Sequence, residues 1–158
     1  MLVRIETLIN APIERCFDLA RSIDFHIYGA RNTQEQAVGG VTRGLIGVNQ
    51  EVEWRARHFF LWFNLRVRIT EYAPPRFFQD SMVRGPFRFF RHGHSFAEAG
   101  AETNMTDELR FESPTAMGWL IDRAVAAHLK QFLKERNSSL KTALESDQWR
   151  QYLPPRET

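Results

Sequence analysis

His92 and His94, in the stretch FFRHGHSF, are the side chains of this chain best placed to do chemistry. Alternate positions of a β-strand share a face. Phe90 and Phe96 alternate with the two histidines, so both imidazoles are expected to point inward. Asp107 alternates with Met105, Leu109 and Phe111 and is expected inside for the same reason. Asp80 shares a face of FFQDSMV with Phe78 and Met82, and the pattern leaves open which face of that strand is buried. Hairpin pairing about Gly85 and Pro86 puts Asp80 across from Arg91 or His92, and pairing about Gly100 puts Asp107 near His92 or Gly93. The expected arrangement is a row Asp80, His92, Asp107, with His94 one pleat away; a register slip of one residue would change it.

Four kinds of chemistry fit such a group. Buried polar side chains normally hydrogen-bond to one another, so the group can simply hold strand register. It can orient a ligand within an apolar pocket, where a few convergent polar groups are usual. A histidine held by a carboxylate can move a proton near neutral pH, which makes His92, His94, Asp80 and Asp107 the candidate catalytic residues. Two histidines and a carboxylate also satisfy iron or zinc, but alternate histidines on one strand are only a permissive arrangement, and neither a metal nor a cofactor is expected. If His92 lies between two carboxylates, they favour its charged form and raise its pKa above about 6.5, with desolvation opposing.

The elements that must position these residues read mostly as strands. Residues 2–9 alternate, with Val3, Ile5, Thr7 and Ile9 on one side. Pro12 opens a short helix with Ile13, Cys16, Phe17, Leu19 and Ala20 on its buried stripe, and SIDFHIY forms a second one that Gly29 ends. A brief strand over 35–41 leads into the glycine-bearing hairpin loop GGVTRGLIG. That loop lacks the Gly-Lys-Ser or Gly-Lys-Thr ending of a phosphate loop. Its Leu45 and Ile46 either cap a cavity or tuck into the core.

Strands follow over 50–58, with Val52, Trp54, Ala56 and His58 on one face, and over 61–72, with Phe63, Leu65, Val67 and Ile69 inward, until Pro74 and Pro75 break the ladder. Three more, over 77–83, 87–96 and 103–111, are joined by links short enough to make antiparallel neighbours. Ser113 and Pro114 then start a long helix to about Leu144. Met117, Leu120, Ile121, Ala124, Val125, His128, Phe132, Leu140 and Leu144 recur on it at three- and four-residue steps. It is expected to cover a curved antiparallel sheet.

A chain of 158 residues with a net charge of +2 is most simply one domain over residues 1–145 followed by a polar, proline-bearing tail over 146–158, where Trp149 and Tyr152 are docking points. No apolar run is long enough to span a bilayer, so the protein is not expected to be membrane-embedded. Cys16 is the lone cysteine, which excludes an internal disulfide and fits a reducing cytoplasm. Its place on a buried stripe argues for an inert thiol. Thirteen phenylalanines and four tryptophans are enough to fill a core and also to line a cavity for an apolar ligand. RGPFRFFRHGH alternates arginines with aromatics, but Pro86 and Phe87 stand where an RNA-recognition octamer needs an aromatic and a small residue, and the strand order is wrong for that fold; no nucleic-acid partner is expected.

INAPIERCFDLA after the first strand, the GGVTRGLIG hairpin, EYAPPRFFQDSM, and the helix ending HLKQFLKERNSSLK together resemble the SRPBCC superfamily. That superfamily holds START domains, plant Bet v 1-like proteins and bacterial polyketide cyclase/dehydrase-like proteins. The resemblance covers about residues 2–145. It implies an α+β helix-grip fold, a seven-stranded curved antiparallel sheet with two short helices and a long C-terminal helix over a cavity, and a small hydrophobic ligand such as a lipid, polyketide, isoprenoid or aromatic. It carries no shared catalytic signature, and fold alone does not give function.

Two functions therefore stand: a carrier or sensor of such a molecule, and a cyclase, aromatase or dehydratase working in the same cavity. The residues expected at the ligand are Trp54, His58, Val67, Phe90, His92, His94, Phe96, Met105, Asp107, Leu109, Leu120, Ala124 and His128. His58 and His128 are lone histidines on apolar faces and fit the core equally well. The molecule is expected to be a monomer or a homodimer.

Overall fold

Alternating burial along seven segments makes the sheet. In the computed structural model, which describes residues 1–114 and 118–154 apart from the side chains of 118–120, the strands are β1 (Leu2–Ile9), β2 (Gln36–Gly40), β3 (Glu51–His58), β4 (Leu61–Ala73), β5 (Phe77–Arg84), β6 (Phe89–Ala99) and β7 (Glu102–Glu112). They form one antiparallel sheet in the order β1-β7-β6-β5-β4-β3-β2. Every consecutive pair from β2 to β7 is a hairpin, and β1 closes the far edge against β7. Irregular register between β2 and β3 and twice between β4 and β5 lets so long a sheet curl.

Helices α1 (Ile13–Ala20) and α2 (Ile23–Gly29) fill the β1–β2 connection. Pro12 starts α1, and the Ser22 hydroxyl caps α2 by accepting from Phe25 N–H. Phe17 of α1 is the plug at this end of the sheet, meeting Tyr72, Phe78 and Phe96 edge-on at 5.5, 5.5 and 5.7 Å between ring centres. Cys16 is fully buried, and burial pushes its thiol pKa up to about 11, so it is not a nucleophile. The glycine loop folds back over the α1–α2 junction, where Ile46 is buried and Ser22 bridges to Leu45.

The long helix α3 is described over Gly118–Leu144. Its expected start after Ser113 and Pro114, and Met117, lie at or beside residues outside the described ones. Its buried face shares Leu140 and Leu144 with the expected stripe and adds Leu133, Arg136, Asn137 and Ala143, all in the C-terminal half, whereas Ile121 is 41% exposed and Ala124 is exposed in the N-terminal half. The helix rests on β1, α1 and α2 and stands off from the middle of the sheet. Residues beyond Leu144 double back onto the short helices: Arg15 lies over Trp149, and Tyr152 meets Phe25 edge-on at 5.3 Å. No helix among the described residues is long and apolar enough to cross a membrane.

Truncating the plug tests this packing. Phe17→Ala is expected to cost about 3–5 kcal/mol of unfolding free energy, read from the shift in urea midpoint.

Candidate functional site: a largely apolar cavity

α3 packs most closely by its C-terminal half, and a cavity of about 520 Å³ remains between the helix and strands β3 to β7. Most of its wall is apolar: Val52, Trp54, Phe63, Val67, Phe90 and Leu109 come from the sheet, and Ile121, Val125 and Phe132 from the helix. His26 of α2 and Glu35 also line it, 3.4 Å apart, and a second polar end is built by adjacent strands. Asp80 pairs with His92 across β5 and β6, and His94 pairs with Asp107 across β6 and β7.

The second pairing corrects the expected row. The β6–β7 link is a two-residue turn at Gly100 and Ala101, closed by Ala99 and Glu102, and Gly100 takes the positive φ of 69° that such turns favour. This shifts the register by one residue from pairing centred on Gly100, so Asp107 faces His94 and lies diagonal to His92.

Asp107 is 0% exposed. Its Oδ1 accepts from His92 Nε2 at 2.9 Å and from Arg136 Nη2 at 2.8 Å, and its Oδ2 accepts from Asn137 Nδ2 at 2.6 Å. Burial alone would raise its pKa, but the Arg136 guanidinium and the two histidines outweigh that and hold the carboxyl well below the usual range. An ionised Asp107 only accepts, so His92 must carry its proton on Nε2. His92 Nδ1 then presents a lone pair, has no hydrogen-bond partner among the described residues, and belongs to a ring on the cavity wall.

The two histidines titrate in opposite directions. Burial, helped by the neighbouring His94, lowers His92 to about 4, which reverses the expected sign: desolvation prevails over the carboxylates. Burial also opposes charge on His94, but the carboxylates of Asp107 and Asp80 prevail there and raise its pKa. His94 Nε2 stands 3.4 Å from Asp80 Oδ1, and its Nδ1 lies 2.8 Å from Asp107 Oδ1 without the alignment of a hydrogen bond. Phe78 stacks on the His94 ring at 4.2 Å and fixes its plane. Asp80 is held below the usual carboxylate range: burial pushes up, and His94 and His92 pull down harder.

Asp80, His92 and His94 also offer donor atoms within 4.8 Å of one another, the donor set of a divalent metal ion. Arg136, ion-paired with Asp107, places a positive charge beside the group and opposes a dication there; the bond from His92 Nε2 to Asp107 does not, since it leaves Nδ1 free.

Of the residues expected at the ligand, Trp54, His58, Val67, Phe90, His92, His94, Leu109, Ala124 and His128 line the cavity. Phe96, Met105 and Asp107 do not. Phe96 is sealed under Phe17, Met105 is fully buried opposite it, and Asp107 is covered by Arg136 and Asn137. The side chain of Leu120 lies outside the described residues. His58 and His128 are not lone histidines: Nδ1 of the first and Nε2 of the second are 2.9 Å apart at the cavity mouth, and burial lowers the pKa of both.

Sequence reading missed Arg136 and Asn137. Their signal was phase, since both fall on the stripe of Leu133, Leu140 and Leu144.

A curved antiparallel sheet gripping a long C-terminal helix is the fold of the START and Bet v 1-like proteins. Solved structures similar to the chain include ginseng major latex-like protein 151 from Panax ginseng (TM-score 0.70, 11% identity, 92% of this chain and 98% of that one). A START superfamily protein from Mycobacterium smegmatis is similar at TM-score 0.70 and 10% identity, over 91% and 97% of the two chains. A protein from Thermus thermophilus is similar at TM-score 0.70 and 17% identity, over 90% and 99%. No protein-family model matches the sequence, and no curated protein matches it significantly.

Two measurements test the polar end. Asp107→Ala leaves the buried Arg136 unpaired and is expected to cost about 3–5 kcal/mol in urea unfolding. A histidine whose folded pKa is depressed contributes stability that is whole above about 6.5 and is lost as pH falls toward the folded value near 4. His94, raised, contributes below about 6.5 and fades as pH rises through its folded value. Wild-type urea midpoints should therefore fall more steeply than those of His92→Asn between about pH 6.5 and 4; parallel profiles would contradict the assignment.

Proposed function

We propose that the protein carries or senses a small apolar molecule bearing one hydrogen-bond donor, such as a hydroxyl. The observation that supports this most directly is the cavity of about 520 Å³, apolar over most of its wall, with a polar end that offers the unprotonated Nδ1 of His92 and the ionised Asp80. Both accept and neither donates, so a matching ligand brings the proton. Trp54, Val67, Phe90, Leu109 and Ala124 would hold the apolar body. The cyclase or dehydratase reading needs a base effective near neutral pH. His92, neutral down to about pH 4, is a weak one and suits orientation better than proton abstraction.

Native mass spectrometry of protein purified without denaturant, with extraction of whatever travels with it, tests the carrier reading; an empty protein whose melting temperature no apolar probe raises would count against it. A hydroxylated naphthalene probe is expected to bind about tenfold more tightly than its O-methyl ether, a difference near 1.4 kcal/mol, and His92→Leu to erase that preference. Ala124→Trp is expected to weaken both probes by about tenfold or more, since it fills the space between helix and sheet.

A further inference from the structure

The tip of the β3–β4 hairpin is built against the usual rules. His58 pairs with Leu61, so Phe59 and Phe60 alone make the turn, at φ of 49° and 64°. Asn-Gly takes such a left-handed pair without strain, and two phenylalanines do not. Nor do they shelter a core. Phe60 is 87% exposed, Leu61 62%, Phe59 50% and Trp62 46%. Four consecutive large apolar side chains at one protruding point form a patch of the kind that marks an interaction surface.

Along the hairpin near its tip the charge is of one sign, with Glu35 and Glu135 the carboxylates that act on the His58 and His128 rings beneath it. From residue 54 to residue 70 the chain has four arginines and no acidic residue. Arg66 and Arg68 pair with Glu51. Arg55 and Arg57, nearer the tip, pair with no carboxylate among the described residues; their guanidinium groups lie over Trp62 at 4.9 Å and Phe60 at 5.8 Å. An apolar point collared by two such cations matches a surface that is greasy within and anionic at its face. The tip also forms part of the cavity mouth. Phe59 lines the cavity and meets the His128 ring of α3 at 4.5 Å, with the exposed Ile121 on the same helix wall.

We infer that the β3–β4 tip docks on anionic lipid bilayers, burying Phe60, Leu61 and Trp62 among the acyl chains with Arg55 and Arg57 at the headgroups, so that the cavity mouth opens onto the membrane. The inference rests on the proposed carrier function only for its purpose, which is to take cargo from the bilayer or return it. Docking itself needs no cargo.

Sedimentation with vesicles of phosphatidylcholine alone, and of phosphatidylcholine with one quarter phosphatidylglycerol, tests it. Wild type is expected to bind the anionic vesicles at least tenfold more tightly and to release as salt rises. Phe60→Ser/Leu61→Ser should lose that binding while melting at or above the wild-type temperature, because neither side chain it replaces belongs to the core, and Arg55→Glu/Arg57→Glu should lose it while unfolding cooperatively in a single transition as wild type does. Ala124→Trp should bind vesicles as wild type does while losing the naphthalene probes, which separates failure of docking from failure of the cargo reading. Equal binding to both vesicle types, or binding untouched by either double variant, would overturn the inference. So would absence of vesicle binding together with a wild-type dimer that Phe60→Ser/Leu61→Ser converts to monomer, which would assign the tip to a second copy of this chain.

Discussion

A single buried carboxylate ties the helix to the sheet. Asp107, on β7, receives Arg136 and Asn137 from α3 and His92 from β6, and no water reaches it. Taking a charge out of water is costly unless a partner and hydrogen bonds replace the solvent, and here both oxygens are supplied. The geometry tolerates little movement, so the C-terminal half of α3 is held at one height above β1 and β7. The apolar residues Leu133, Leu140 and Leu144 flank that anchor and close the same half against the core.

The other half is held differently: among the described residues the buried Asp122 accepts from Ser113 N–H, and Val125 packs at the edge of the core. Ile121, Ala124, Val125 and His128 line the open space in front of the sheet. A cavity this large with so apolar a wall is empty of the contacts that close packing would provide, which is a cost the anchored half and the Phe17 plug must offset. The arrangement has its own polar boundary: at the inner end, His92 and Asp80 turn unshared lone pairs toward the space, and at the mouth His58 and His128 satisfy each other.

The anchor and the polar end are chemically one system. Asp107 fixes the His92 tautomer by taking its Nε2 proton, and the same ion pair with Arg136 that secures the helix keeps Asp107 ionised enough to do so. Position of the helix and protonation at the cavity wall are therefore linked through a single oxygen atom, Oδ1, which both His92 and Arg136 reach.

Much of the fold was legible from periodicity. Alternation placed the seven strands within two or three residues, Pro12 and Ser22 marked the short helices, and the inward faces of β6 and β7 put His92, His94 and Asp107 inside, because side-chain direction along a strand is a local property. Local pattern could not supply the β6–β7 register, which one extra turn residue shifts, nor choose the buried face of β5. Spacing on α3 marked Leu140 and Leu144, which are buried, and Ala124 and His128, which line the cavity, since amphipathic spacing is satisfied by a cavity wall as well as by packed neighbours; it did not mark the polar residues Arg136 and Asn137 in phase with them. Which half of the helix touches the sheet, that Arg136 and Asn137 are buried, and that solvation outweighs two carboxylates at His92 were decided only by tertiary structure, since each depends on groups brought together from distant parts of the chain and on the water excluded between them.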